Sequence, residues 1–555
     1  MTSQAFASRV LLFVLLVALV PVGPAVAQPA QAAAPARTVR LSVDDAVRLA
    51  LDHNPDLKVA RFDPQIGDME VAQALASFTP TLSTGFLGNR QVAPPSSIFV
   101  GQEGVTSNAI GGALALSQQL PWYGGAYSVI WDGSRSTTES LFSNFNPNLA
   151  GSLRLTFSQP LLRDRAIDPA REQVTRTRTN RDIADVNYRE QVAQTTAQVR
   201  RAYWDLVASR VAVDVARRSL ALAEDLVRTN KARVDVGEAA PLDLVSARAE
   251  VAQRAEELIL AETAVRRTED SLRTLVLDSG EPDFWTVRIE PADALPSAAP
   301  TPDVDPAIRR ALEARTDLVR ARAEIDIART GVALRDNQRL PDLRVDASLA
   351  LAGVGGKRLL TDGQFPPTIL GVAQTGFGDV LGQIVTGDFP AWTVGLTLRY
   401  PIGQSYEEAD LARARLEQQR AETQIRTLEI EVARQIRSAA LDMESAAKRI
   451  ETTKAGRELA EERVGAEQKR YEVGVSTSFL VVQAQRDLAQ ARINEVLALL
   501  SYERARIDFE ALQEAGPAAG SATAIRAGVA AGRTVNFSAP AASTTTQTSG
   551  TLTGR

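Results

Sequence analysis

The chain of 555 residues has no cysteine, one histidine and three methionines. Without cysteine there can be no disulfide framework, no thiolate metal site and no lipid-bearing cysteine of the bacterial lipoprotein kind. The lack also suits an envelope location, where unpaired thiols are at risk of oxidation. The lone histidine, His53, has no second histidine or cysteine with which to complete a metal cluster. It reads as structural. No nucleophile–base set stands out, so neither an enzyme nor a cofactor site is expected. Charge of either sign is not in excess: 62 basic residues face 67 acidic ones, with no basic run suited to nucleic acid. Long apolar runs are also missing beyond the N-terminus. There, Arg9, the apolar core Val10–Val20 and Ala25-Val26-Ala27 have the form of a secretory signal over residues 1–27. That core is too short for a spanning helix, so any membrane crossing has to be made with strands.

What the chain does have is a second copy of itself. VDDAVRLALDHNPDLKVAR (43–61) returns as VDPAIRRALEARTDLVRAR (304–322) with 10 of 19 positions identical. RVDVGEAAPLDLVSARAEVAQ (233–253) returns as RYEVGVSTSFLVVQAQRDLAQ (470–490) with 7 of 21 identical. A period of about 240–260 residues is too long for a solenoid unit and indicates a duplicated architecture. The expected division is a flexible lead-in at 28–40, a first repeat at 41–280, a linker at 281–302, a second repeat at 303–515 and a disordered tail at 516–555.

Each repeat opens with a helix. In the first, Ser42 is a candidate N-cap with Asp45 three residues on, and the helix is expected to run to about Ser77 and stop before Pro80. Between 81 and 160 charges thin out and the period falls towards two. Leu153, Leu155 and Phe157 alternate with Arg154, Thr156 and Ser158. In the second repeat Leu343, Val345, Ala347, Leu349 and Leu351 form one face of a strand. Trp392, Val394, Leu396, Leu398 and Tyr400 alternate with Thr393, Gly395, Thr397 and Arg399. Aromatics at both ends of that last strand suit either the interfacial girdles of an outer-membrane barrel or a half-buried strand of a soluble sheet.

Residues 170–236 contain no proline or glycine. Val192, Val199, Leu206, Val213, Leu220 and Val227 recur every seven residues, and Thr195, Ala202, Ser209, Ala216 and Ala223 form a second seam of small residues. Such a sustained heptad period means coiled-coil packing with closely spaced axes. A helix of this length reaches about 100 Å. Residues 404–473 repeat it, with Gly456 and Gly465 expected to soften the lower part. Each long helix ends at a Val-Gly turn, at Gly237 and Gly474, and a shorter helix returns over 242–279 and 478–514.

These features together resemble the TolC family of outer-membrane efflux and secretion channels over about residues 41–514. LALDHNPDL lies near the start, FTPTLS and RLPDLRV at helix-to-strand joints, SLRLTFSQPLLRD and WTVGLTLRYPIG at strand-to-helix joints, and the two VG repeats at the hairpin tips. The resemblance implies an internally duplicated α+β membrane protein. Three copies would close one transmembrane β-barrel, continuous with a long periplasmic α-helical barrel. It further implies passive conduction, with a periplasmic adaptor and an inner-membrane transporter docking on the hairpin tips and outer-membrane lipid around the barrel. A structural coiled-coil stalk or adhesin is the alternative reading.

In family members of the simplest type each repeat supplies two strands. Here the first has room for four, at 81–90, 111–119, 125–132 and 152–160, with a short turn at 121–125. The extra hairpin can join the barrel or fold over its mouth. The second is favoured, because 111–132 is less apolar than a lipid-facing hairpin should be. The gate and docking candidates implied by the resemblance lie at the tips: Arg233, Gly237 and Asp243 on the first, Arg470, Tyr471, Gly474, Ser476, Leu480 and Gln483 on the second. Asp243 and Tyr471 match positions that link helices in the closed state. Asp243 reads equally as an acid favoured at a helix N-terminus, and Tyr471 as a packing residue. Ser476 stands where the family has an arginine. Leu480 and Gln483 stand where it has two ring-forming aspartates, so an apolar or amide-lined gate is expected.

Overall fold

A computed structural model of the chain describes residues 37–94, 104–140, 143–296, 300–361, 368–403 and 405–517. The expected signal, most of the lead-in and nearly all of the tail lie outside the described residues. The end of the lead-in and the expected linker are paired with each other. β1 (Thr38–Leu41) runs parallel to β6 (Arg288–Pro291), so the 28–40 and 281–302 segments meet as a small sheet. Their alternation of large apolar and charged residues, with Leu41 and Ile289 buried, drives this pairing.

The first helix starts as expected. Ser42 caps α1 (Val43–His53): its Oγ accepts the Asp45 amide at 3.2 Å, and the Asp45 carboxylate accepts the Ser42 amide. The expected continuous run to Ser77 is broken. α1 ends at Asn54, followed by α2 (Pro55–Ala60) and α3 (Phe62–Leu75). Pro55 keeps Asn54 out of the helical region, and the Asn54 side chain instead accepts the Asp56 and Leu57 amides as a new N-cap. In the second repeat the break falls at Arg315, between α6 (Val304–Ala314) and α7 (Thr316–Gln338). Asn54 donates to the Leu275 carbonyl, and Arg315 donates to the Leu512 carbonyl, each at 3.4 Å. Both breaks are buried and both are tied to the last turns of the returning helix of their own repeat.

α4 (Pro169–Asp235) and α9 (Tyr406–Glu472) are each 67 residues long. α5 (Pro241–Val276) and α10 (Ser478–Glu514) return along them. α9 passes through Gly456 and Gly465 without a break. Val199 and Leu206 of the first heptad seam are fully buried, as is Ile436 of the second, and Met443 and Ile450 are nearly so. The two hairpins are laid side by side because α10 packs on α4. Salt bridges from Arg504 to Asp205 and from Arg200 to Glu510 line that contact.

The strand region is one sheet in the order β2-β3-β4-β5-β7, with β9 along the far edge of β7 and β8 (Ile369–Thr375) above it. The members are β2 (Thr81–Ala93), β3 (Val105–Gln119), β4 (Ala126–Thr138), β5 (Phe145–Pro160), β7 (Asp342–Thr361) and β9 (Phe389–Arg399). The extra hairpin does not fold over the mouth. β3 is paired to β2 from Thr81↔Ser117 to Ala93↔Val105, and to β4 from Ser107↔Thr138 to Gln119↔Ala126. The register explains why: it stacks the hairpin's few apolar residues into line with those of its neighbours. Leu82, Leu116, Val129, Leu155, Leu349 and Trp392 follow one another across six strands on a single face. The other face carries Ser83, Ala115, Ile130, Arg154, Ala350 and Ala391, a row of mostly small residues.

One further element was not expected. α8 (Phe377–Thr386) lies on the apolar face, with Val380 and Ile384 against Gly151, and Val380 against Gly353 and Gly355. The Gln383 amide bonds both the N–H and the C=O of Val354, at 2.9 and 3.1 Å, sealing the stretch of β7 between β9 and β8.

Candidate functional site: the paired hairpin tips

Both tips are closed by the same backbone device. At the first, Gly237 (φ 79°) donates to Val234 O and Glu238 to Arg233 O. At the second, Gly474 (φ 78°) donates to Tyr471 O and Val475 to Arg470 O. This is the double bond of a Schellman motif, which requires the left-handed conformation at the residue that follows the cap. Among the described residues no neighbour lies within 4 Å of a Cβ built on either glycine, so the conformation alone selects glycine here.

The candidate residues then separate into two sets. Asp243, Tyr471 and Arg233 lie between the hairpins. The Asp243 carboxylate accepts the Ser478 hydroxyl at 2.7 Å, α5 to α10. The Tyr471 hydroxyl donates to Asn230 Oδ1 at 2.6 Å, α9 to α4. Asn230 Nδ2 donates in turn to the Asp243 carbonyl at 3.2 Å, which joins the two links. Arg233 donates to the Tyr471 carbonyl at 3.0 Å and stands 4.7 Å from the centre of its ring. The phenol is packed with Leu226, Ala247 and Val481, and burial holds its pKa above the ordinary value of 10.0. It therefore stays a donor throughout the physiological range.

The remaining candidates act within the second arm. Ser476 donates to Glu467 at 2.8 Å, and Arg470 pairs with the same carboxylate at 3.0 Å. Gln483 donates to Asp487 one turn on, at 2.9 Å. The Leu480 side chain is partly exposed on the first turns of α10. Among the described residues, none of these four bonds to the first arm.

The principal residues absent from the expected set are Asn230, Ser478 and, two turns above the tip, Glu250 and Arg486. Glu250 is 4 % exposed and receives Arg486 Nε at 3.0 Å from the other hairpin and Arg254 Nε at 2.7 Å from its own. Burial raises the pKa of this carboxyl, but the bonds from Arg486 and Arg254 outweigh it and hold the group below its ordinary value of 4.5. Asn230 was legible in principle. It continues the small-residue seam seven residues past Ala223, where a polar residue inside a packing seam calls for a specific partner.

A duplicated pair of strand-bearing helical hairpins, joined at their tips by buried polar links, is the geometry to which known proteins can be compared. The profile of the outer membrane efflux protein family matches residues 46–276 and 307–513, one segment per repeat. The chain belongs to the outer membrane efflux protein family. It is an outer-membrane channel of an efflux system, and the stalk or adhesin alternative is set aside.

Among solved structures, CusC superposes with a TM-score of 0.61 at 13 % identity, covering 86 % of this chain and 92 % of that one. The CmeC outer membrane channel of Campylobacter jejuni gives 0.59 at 14 %, with 85 % of each chain covered. The open-state MtrE outer membrane channel of Neisseria gonorrhoeae gives 0.58 at 16 %, covering 85 % of this chain and 89 % of that one. No curated protein sequence matches the chain. Channels of this family are trimers that work with adaptors and inner-membrane pumps.

Proposed function

We propose that three copies of this chain form one tube, which passively conducts substrates from a periplasmic adaptor and inner-membrane transporter, of an efflux pump or a type I secretion system, to the outside. A homotrimer is supported by the sheet. With two open edges and one apolar face it cannot lie in lipid until it is closed, and its six long strands and the short β8 are too few to close alone. Residues 1–27 act as a secretory signal in this reading, and 41–280 and 303–515 are the two repeats of the mature protomer.

The observation that carries the gating part is the Asn230–Tyr471 and Asp243–Ser478 pair of links. They hold the two arms of one protomer together at their far ends. The tip is the docking surface for the adaptor, and separation of the arms there opens the lower end. Arg470, Ser476, Leu480 and Gln483 form its second-arm flank, and none of the four is an acid. Single-channel recording in planar bilayers tests this reading. A closed or low-conductance basal state is expected, and its open probability rises when either link is removed. A channel equally conductive with and without both links overturns it.

A further inference from the structure

The apolar face of the sheet changes character at its far end. Gly112, Gly133, Gly151 and Gly353 stand side by side in register on β3, β4, β5 and β7. Phe86 lies over the first of these glycines, Phe377 over the second, and Val380 and Ile384 of α8 over the third. α8 is apolar all round: Val380 and Ile384 are buried against the sheet, whereas Leu381 is 40 % and Val385 86 % exposed. Such a helix needs apolar surroundings on its free side as well. Beyond the glycines, on the same face, come Arg135 of β4 and Arg90 of β2, with Ile110 and Asn108 of β3 between them.

We infer that this end of the apolar face binds a phosphorylated acyl lipid of the outer leaflet, with its phosphate on Arg90 and Arg135 and its chains along Phe86, Ile110 and α8. The inference rests on the trimeric channel proposed above, with the apolar face in lipid. Depth supports it first. Gly355 is level with Arg135 through Leu149. From Leu343, at the helical end of the face, to Gly355, β7 climbs about 30 Å at ~3.3 Å per residue and a tilt of ~40°. A bilayer's hydrocarbon core is ~30 Å thick, so Arg135 stands at phosphate depth and Arg90 just outside it.

Charge supports it next. Both arginines are exposed and have no ion pair or hydrogen bond among the described residues. The described acids at this end of the sheet are engaged elsewhere. Asp132 is on the inner face with Ser152, Glu139 accepts the Thr106 amide, Asp379 the Gly376 amide and Asp388 the Thr386 hydroxyl. The two arginine Cα atoms lie about 12 Å apart across β3, a span one headgroup can bridge. A guanidinium fits phosphate with two bonds while its stem lies along apolar surface. That surface is present: Phe86 is 88 % and Ile110 70 % exposed, and Trp131 and Phe377 meet edge to face at 6.5 Å beside them. Both cations therefore stand at the rim of an apolar wall continuous with the lipid-facing band, which suits an acylated ligand and not a free anion.

The test titrates the detergent-purified trimer with lipid A, a bis-phosphorylated acylated disaccharide, and reads binding by native mass spectrometry. R90Q/R135Q is expected to weaken binding about twenty-five-fold and each single variant about fivefold, while R90K/R135K keeps most of it. Lipid A stripped of its phosphates should bind wild type and double variant alike, and excess inorganic phosphate should displace nothing. Equal affinity of wild type and R90Q/R135Q for lipid A, or displacement by inorganic phosphate, overturns the inference. Trimer assembly of each variant is checked by gel mobility, and R135Q alone carries the test if the pair does not assemble. Single-channel conductance keeps the two readings apart: R90Q/R135Q should conduct like wild type, and lost lipid selectivity with intact conductance sinks the lipid site alone.

Discussion

The Tyr471 hydroxyl reaches Asn230 Oδ1 at 2.6 Å, between residues 241 apart in sequence, at the point where the two arms of the protomer are furthest from the membrane. Asn230 is fully buried, so the bond has no water to replace it. Tyr471→Phe keeps the ring and its contact with Arg233 but leaves the Asn230 carbonyl unsatisfied, at a cost of about 1–3 kcal/mol. The expected outcome is a raised open probability in planar bilayers with little change in trimer thermal stability, which the long helical seams dominate.

Asp243 separates charge from hydrogen bonding. Asp243→Ala removes the acceptor of the Ser478 hydroxyl and should raise basal conductance. Asp243→Asn keeps an oxygen in place and should raise it less. Unchanged conductance and closed-state lifetime in the alanine variant would remove this link from the gate.

Acid should loosen the tips through Glu250. Its folded-state pKa lies below the ordinary 4.5, so the bridge to Arg486 stabilises the paired arms above that value and is lost as pH falls through the lowered one. Conductance of the wild type is expected to rise below pH 4.5, and Glu250→Gln should conduct more at neutral pH and respond less to acid. A pH series on both proteins checks the sign.

Gly237→Ala and Gly474→Ala place a side chain at φ 79° and 78° with nothing nearby to strike. The effect is then one of backbone strain, about 1–2 kcal/mol at each tip. Limited proteolysis should show faster nicking at the altered tip and similar magnitudes for the two variants.

Much of this architecture is visible in the sequence because long helices and duplicated turns depend on periodicity alone. The seven-residue spacing from Val192 to Val227 and the Val-Gly turns suffice for the arms. The breaks at Asn54 and Arg315 were hidden because apolar period continues across them, and only the Asn-Pro pair marks the first. The placement of the hairpin at 105–138 was misjudged on composition. Its apolar residues are few, but pairing brings Leu116 between Leu82 and Val129, and register between strands far apart cannot be read from any one of them. α8 escaped for a similar reason: its seat is made of Gly151, Gly353 and Gly355, which become a groove only when β5 and β7 meet. Of the site, Asp243 and Tyr471 were found by likeness, whereas their partners Ser478 and Asn230 lie on the other arm.

The hairpin of β3 and β4 leaves the wall and rejoins it at the end remote from the helices, where β2 stops and β5 begins. Excising it would join two strands whose ends already lie at the same level. In a three-fold assembly any such edit is made three times over. The wall can therefore be edited without cutting into the arms, since β3 and β4 are joined to no helix.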